Sequence, residues 1–396
     1  MPEMLPLHQL FLSKVLKQYG YNVEILKNTG RDVIEKGLKN VHNDTCYPAL
    51  LVIGQMIDAL ESGKYDINKT ALMITQTGGG CRASNYIFLL RKALKNCGMG
   101  HVPVISLNTA GLDESPGFKL TLPMLRRAMY AVAAGDLLMW VANQCYPYEK
   151  EKGETDKVIE KWMNHLLTLW SRKKPVSYKQ IKGCYELMLS DFEKIRNKTE
   201  DKPKVGIVGE IYVKYSPMGN NNLNEFLLSE GAEPVECGLI DFCLYCLHNG
   251  VVTSDLYGGN FFGRKFSSIA YKFLIKKQHD IIDAIKKHGV FDPPYDFNKT
   301  KYIASSYINP GVKMGEGWLL TAEMAELINH GVNNIVCTQP FGCLPNHIVG
   351  KGMQNTIKRK HPEANIVAID YDPGASEINQ QNRIKLMLAN AKNEDV

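Results

Sequence analysis

The sequence predicts an α/β chain of two successive units, 1–199 and 200–396, each a parallel sheet flanked by helices. Three observations carry this expectation. Short apolar runs at 71–75, 102–107, 205–208, 233–238, 333–337 and 365–370 read as buried strands. Helix-period segments separate them, and a strand–turn–helix–strand order argues for parallel strands joined by helical crossovers. The pattern also restarts after 197–204 (NKTEDKPK), a charged segment that contains Pro203 and lacks apolar periodicity, as a linker does.

In chain order, Leu7, Leu10, Phe11, Val15 and Leu16 give a helix-period stripe ending near Gly20. Residues 21–26 alternate enough to be a strand, and a second amphipathic helix covers 47–60. The strand at 71–75 leads through the glycine turn 78–80 into a helix over 82–96, and 102–107 is the next strand. Residues 121–195 read as mainly helical, interrupted near 146–157 and at 172–175. In the second unit, the strand 205–208 precedes a helix over 221–230 and a strand at 233–238. Helices continue to about 290, and Pro293-Pro294 marks a loop. A helix over 320–330, a strand at 333–337, a turn and helix, a strand at 365–370 and a helix over 375–391 complete the chain. No short-period repeat or low-complexity segment is present.

Composition narrows the function classes. A chain of 396 residues that is 44% hydrophobic and 22% charged has globular composition and room for two cores. Its net charge of +6 is mild, and no Lys/Arg block with interleaved aromatics is present, so nucleic-acid binding is not expected. No stretch approaches the roughly 18–20 apolar residues that span a bilayer. The start, Met1 to Pro6, lacks a basic region followed by an apolar run, so a cytoplasmic location is expected. The Asn-X-Thr triplets at Asn43, Asn68, Asn197 and Asn298 then carry no meaning. In a reducing compartment the ten cysteines do not form a disulfide framework. Each is a buried small hydrophobe, a metal ligand or a reactive thiol, and burial is the default for any one alone.

Three cysteines share one predicted setting. Cys46 follows Asn43, Asp44 and Thr45, all N-cap types, and precedes Pro48, which suits a first helical turn. Cys81 follows a strand and the run Gly78-Gly79-Gly80. There Gly79 and Gly80 let the backbone approach a bound group and offer it N–H donors. Cys343 follows Gly342 beyond the strand 333–337, and Pro345 opens the next helix. Sites in open α/β sheets gather at the C-terminal strand ends. A helix start also favours the thiolate, the form that ligates metal. Three such thiolates suit a [4Fe–4S] cluster with one iron left open. Zinc is the rival metal, but it prefers four ligands in short paired spacings, whereas these cysteines are 35 and 262 residues apart.

Other residues stay open to two readings. Cys337, at the end of a strand, is an alternative ligand or core. Cys243 and Cys246 form a C-x-x-C in apolar, helical surroundings, where packing competes with a redox role. Cys145 lies before Tyr146-Pro147-Tyr148-Glu149 and is either near the site or structural, and Cys97, Cys184 and Cys237 read as structural. Arg82 either balances cluster charge or is a solvated or lobe-bridging arginine. Gly315-Glu316-Gly317 is a tight turn or a contact to a bound group, and His347 is a proton donor or an ordinary histidine. Asn220, Asn221 and Asn222 read as a helix cap.

Taken together, these segments resemble the 2-hydroxyacyl-CoA dehydratase superfamily, in particular the cysteine-bearing region of dehydratase activase-related proteins. The carrying segments are Met4-Leu5-Pro6-Leu7-His8, Asn43-Asp44-Thr45-Cys46-Tyr47-Pro48, Gln76-Thr77-Gly78-Gly79-Gly80-Cys81-Arg82 and Pro147-Tyr148-Glu149. Gly315-Glu316-Gly317-Trp318, Gln339-Pro340-Phe341-Gly342-Cys343-Leu344-Pro345-Asn346 and Asp370-Tyr371-Asp372-Pro373-Gly374 extend the resemblance over nearly the whole chain. The resemblance implies two Rossmann-like lobes with an iron–sulfur cluster between them, either a [4Fe–4S] cubane or a bridged double-cubane [8Fe–9S] unit. It also implies a third ligand in the turn beyond a strand of the second lobe, which selects Cys343 over Cys337. The expected metal ligands are thus Cys46, Cys81 and Cys343, with Gly79, Gly80, Arg82 and Gly342 around the cofactor.

The resemblance further implies reduction by an ATP-hydrolysing iron–sulfur activase. That activase is a separate partner, because this chain has no actin- or hexokinase-like ATPase signature. A homodimer and an anaerobic setting are expected. With no acyl-CoA pocket or Ser/Glu pair identified, the leading expectation is a low-potential reductase or electron-transfer protein acting on small molecules. The alternatives are a 2-hydroxyacyl-CoA dehydratase subunit and a non-catalytic cluster carrier.

Overall fold

The computed structural model describes residues 1–42, 44–75, 80–107, 118–171, 176–259 and 261–393. It is an α/β protein with two parallel sheets flanked by helices. The first sheet is the pair β1 (Leu72–Thr75) and β2 (Val104–Leu107), with Leu72 opposite Val104. The second contains β3 (Lys204–Gly209), β4 (Glu233–Glu236), β5 (Asn334–Pro340) and β6 (Asn365–Tyr371) in the order β4-β3-β5-β6, all parallel. After β3 the chain moves to one side to form β4, then returns to form β5 on the other. The strand order therefore reverses between β3 and β5, where open α/β sheets form a crevice beyond their C-terminal ends.

Strand periodicity divides the core. Val205, Ile207, Val336 and Ile369 face a core shared with the helix Tyr47–Glu61, the helix Tyr86–Asn96 and the first sheet. Val208, Val235, Ile335 and Ile366 face the other way, onto the helices Leu122–Asn143, Leu239–Tyr257, Phe261–His288 and Trp318–Asn329. The helices between 122 and 195 pack into this second core, and Tyr148 donates a 2.9 Å hydrogen bond to Glu233 of β4. The segment Met4–His8 pins two elements: His8 lies 2.8 Å from Asp136, and Asp136 accepts 2.8 Å bonds from the N–H groups of Leu239 and Ile240 at a helix start. Among the described residues, no helix is long and apolar enough to cross a membrane.

Residues 21–26 do not form the expected strand. Their alternation is real, but the backbone partner is the chain start, not a sheet: Leu26 N–H donates to Met1 O and the Met1 amino group to Glu24 O. A further helix, Arg31–Asn40, lies between the two expected in this mainly helical stretch. β5 runs three residues beyond the expected end at 337, because its register continues through Pro340 opposite Tyr371 of β6. After Cys343 the chain makes a π turn over Asn346–Gly350 before the helix Gln354–Lys360.

The second sheet buries charge. Lys214 lies 3.0 Å from Glu323, and the two are 4% and 6% exposed at their side chains. Glu236, at the end of β4, is buried nearby. Burial lifts its carboxyl from the ordinary 4.5 to about 7; Lys214 and Asn224 oppose the shift, while Glu323 and Asp136 add to it. A folded state that holds this proton more tightly than the unfolded chain loses stability as pH rises from about 4.5 to 7. Glu236→Gln is therefore expected to flatten the pH dependence of unfolding and to be more stable than wild type at pH 8, by about 1–3 kcal/mol. Urea unfolding at several pH values measures this, and an unchanged slope would contradict it.

Candidate functional site

The cysteine-bearing loops arise from three separate parts of the chain and meet at strand ends. Cys46 is the N-cap of the helix Tyr47–Glu61, in extended conformation at φ −62° and ψ 144°, with Pro48 in the first turn. Cys81 follows β1 and caps the short 3₁₀ turn Arg82–Asn85 that leads into the helix Tyr86–Asn96. Cys343 lies three residues beyond β5 and accepts the His347 N–H at 3.1 Å through its carbonyl. All three line one cavity of about 380 Å³, together with Gly80, Arg82, Gly342 and His347. Asn43 and Gly79 lie outside the described residues.

Each sulfur has the same kind of local partner. The backbone N–H groups of Ala49, Ala83 and Asn346 lie near the sulfurs of Cys46, Cys81 and Cys343 and lower each thiol's pKa, against burial, which raises it. Each follows its cysteine by two or three residues, and that of Ala49 also donates to the Cys46 carbonyl at 3.0 Å. Cys46 Sγ is also 3.0 Å from the hydroxyl of buried Tyr86.

The loops are locked to one another. The Tyr47 N–H donates to Phe341 O at 2.9 Å. Arg82 Nη1 donates to Asp44 O at 2.5 Å and to Gly342 O at 3.1 Å, so one guanidinium ties the Cys81 turn to the loops of Cys46 and Cys343. Gly342 has φ +71°, and a Cβ there would stand 2.9 Å from Arg82 Nη1 and 3.1 Å from Cys46 Cα. Both the backbone conformation and the close approach need glycine. Gly342→Ala is expected to cost about 1–3 kcal/mol in stability. Gly98→Ala, at φ +73° with nothing within 4 Å, is the control for the φ effect alone. Equal losses in denaturant unfolding would show that the loop contact contributes nothing.

Two carboxyls also line the cavity. Glu210 follows β3 and caps the helix Ile211–Tyr215, accepting the Val213 N–H at 2.9 Å. Glu316 sits in the turn Gly315–Gly317 and accepts the Ile211 N–H at 3.1 Å. Gly315 and Gly317 both have positive φ, so that motif is a tight turn which also forms part of the cavity wall. Burial raises both carboxyls, and for Glu210 the Glu316 charge raises it further. The thiols move the same way: burial pushes Cys81 up to about 11 and raises Cys46 and Cys343. This corrects the expectation that a helix start favours the thiolate here, because without a cation desolvation outweighs the N–H donors. A metal bound by these thiols would have to displace their protons.

The remaining cysteines stand apart. Cys337 is in mid-strand, paired between Val208 and Ala368, and its sulfur contacts Asn346 Oδ1 at 3.5 Å, so it does not line the cavity. Cys243 and Cys246 lie on the helix Leu239–Tyr257 and do not line it either. Cys145 is buried against Phe192 O, and Cys97 ends the helix Tyr86–Asn96. His347 does reach the cavity, with its Nδ1 2.7 Å from Gln339 Nε2.

Among the described residues, no three His, Cys, Asp or Glu side chains form a group able to hold one metal ion. Cys46, Cys81 and Cys343 nevertheless line one and the same cavity. Sequence reasoning missed Glu210 and Tyr86. Glu210 had a usable signal, since it directly follows the end of a strand, where Cys343 lies three residues beyond one; Tyr86 had none. No protein-family model matches the chain, and no curated protein matches it.

Proposed function

We propose that this chain is an iron–sulfur protein acting as a low-potential reductase or electron-transfer component, with Cys46, Cys81 and Cys343 as cluster ligands. The observation that carries the reading is the convergence of three helix-heading cysteines, 35 and 262 residues apart, on one cavity of about 380 Å³. In this reading the two parallel sheets are the cores of two Rossmann-like lobes, and the cluster lies between them.

When bound, the cluster supplies low-potential electrons and an open iron position to the cavity. The chain's own residues do the rest. The three thiolates would bind it, beside backbone N–H groups that favour the charged form of sulfur. Arg82 holds the loops in register. Glu210 and Glu316, whose carboxyls burial raises, stand in the cavity wall as candidate proton donors. Electrons come from a separate ATP-hydrolysing iron–sulfur activase, and the working form is a homodimer in the cytoplasm.

Anaerobic reconstitution, iron and sulfide counting, and an EPR spectrum test this. The expected result is a coloured protein with stoichiometric iron and sulfide, whose ratio separates one cubane from a bridged pair. A colourless, iron-free protein after reconstitution would sink the reading.

A further inference from the structure

Toward the opposite end of the second sheet from Cys343 lies a cavity of about 370 Å³, walled by the starts of β3 and β4, the helix Leu122–Asn143 and the loop 292–296. The volume falls within the roughly 300–1,000 Å³ of small-molecule sites. The end of the helix holds the loop in place. Trp140 Nε1 donates to Asp292 O at 2.7 Å and Gln144 Nε2 to the same carbonyl at 3.0 Å, while the Asp292 N–H donates to Gln144 Oε1 at 2.9 Å. Pro293 and Pro294 follow, with φ fixed by their rings. Little of this wall is left to order when a molecule enters, which favours binding.

The wall carries aromatic rings, an unused donor and two unused cations. Tyr295 and His330 stack with centroids 4.1 Å apart, and Trp140 meets Tyr295 edge-on at 5.9 Å. Trp140, Asn143 and Gln144 all line the cavity, and their spacing of three and four residues puts them on one helix face. Asn143 is 8% exposed, and its Nδ2 is buried without a hydrogen-bond partner. A buried donor left unpaired is destabilising, and this one belongs to the face turned to the cavity. The acids of the wall are engaged elsewhere. Asp292 takes Lys204 at 2.7 Å, Asp296 takes His279 at 3.1 Å, and Glu233 accepts the Tyr148 hydroxyl at 2.9 Å. Glu236 lies on the other strand face from Glu233, where its Oε2 accepts from Asn224 at 3.3 Å. Lys286 and Lys299 line the cavity, are exposed, and have no ion-pair partner among the described residues. The free charge at this cavity is therefore positive.

We propose that this cavity is a second binding site, separate from the cysteine cavity, and that it takes a nucleoside monophosphate. The base lies against the rings of Tyr295 and Trp140, a contact that any base can make through its π-face. A ring nitrogen or carbonyl oxygen of the base accepts from Asn143 Nδ2 and so satisfies the unpaired donor. Lys286 and Lys299 hold the phosphate at the mouth. A simple anion would engage the lysines and leave Asn143 and the rings unused. A neutral ring compound would do the reverse. The site is independent of whether the cysteines hold a cluster.

Isothermal titration of the full chain, as purified and kept reduced, tests this. The probes are adenosine, guanosine, cytidine and uridine monophosphates, the matching nucleosides, and inorganic phosphate. At least one monophosphate should bind about tenfold or more tightly than its nucleoside or phosphate alone. Asn143→Leu should weaken that monophosphate about tenfold while leaving the urea midpoint unchanged or higher, because the donor it removes has no partner in the protein. Lys286→Ala combined with Lys299→Ala should bring the nucleotide down to the affinity of its nucleoside. If Asn143→Leu does not fold, the lysine double variant decides, since both its positions are exposed. No binding of any monophosphate at millimolar concentration would overturn the proposal. Phosphate binding as tightly as the nucleotides would reduce the site to a plain anion site and also overturn it, as would unchanged nucleotide affinity in either variant.

Discussion

Cys46→Ala, Cys81→Ala and Cys343→Ala should each strip the reconstituted chain of most of its iron, whereas Cys337→Ala and Cys97→Ala should leave it bound. Each of the first three removes one thiol from the cavity wall. The loss should exceed the roughly 10–100-fold in affinity that removing an outer hydrogen-bond partner of a metal ligand costs. Cys337 tests the assignment most sharply. It is only six residues from Cys343, yet its sulfur points to Asn346 inside the sheet layer. Iron and sulfide per chain, with circular dichroism to verify folding, measure the outcome. Retention in Cys343→Ala together with loss in Cys337→Ala would transfer the third ligand to Cys337.

Lys214→Ala should produce the largest loss of stability, about 3–5 kcal/mol, because it leaves the Glu323 carboxylate buried without its cation. The pair joins the helix Ile211–Tyr215, which starts at the cavity, to the helix Trp318–Asn329 that leads into β5. A Lys214→Met and Glu323→Leu double variant should recover most of the loss, since an apolar pair avoids desolvating two charges. The shift should appear in the urea midpoint with an unchanged slope. A loss below about 1 kcal/mol, the range of exposed pairs, would mean that water reaches the pair.

Much of the site was legible locally. N-cap residue types before Cys46, a strand and glycines before Cys81, and a strand end before Cys343 are short-range features, and helix starts and strand ends follow from them. Arg82 was expected either to bridge or to balance charge; its two hydrogen bonds show the bridging geometry. The run 21–26 misled because alternation describes a residue pattern and not a hydrogen-bonding partner. Glu210 was overlooked because a single acid after a strand means little until another acid, here Glu316, lines the same cavity.

By itself the sequence located the six strands and some of the helices and showed which cysteines head helices, because capping, period and turn chemistry act within a few residues. Only the tertiary structure decided that loops 35 and 262 residues apart meet, that Cys337 is sealed in a strand, and that the thiols and carboxyls of the cavity are held toward their protonated forms. Those properties depend on desolvation and on charges brought together by strand order, and neither has a signature in the local sequence.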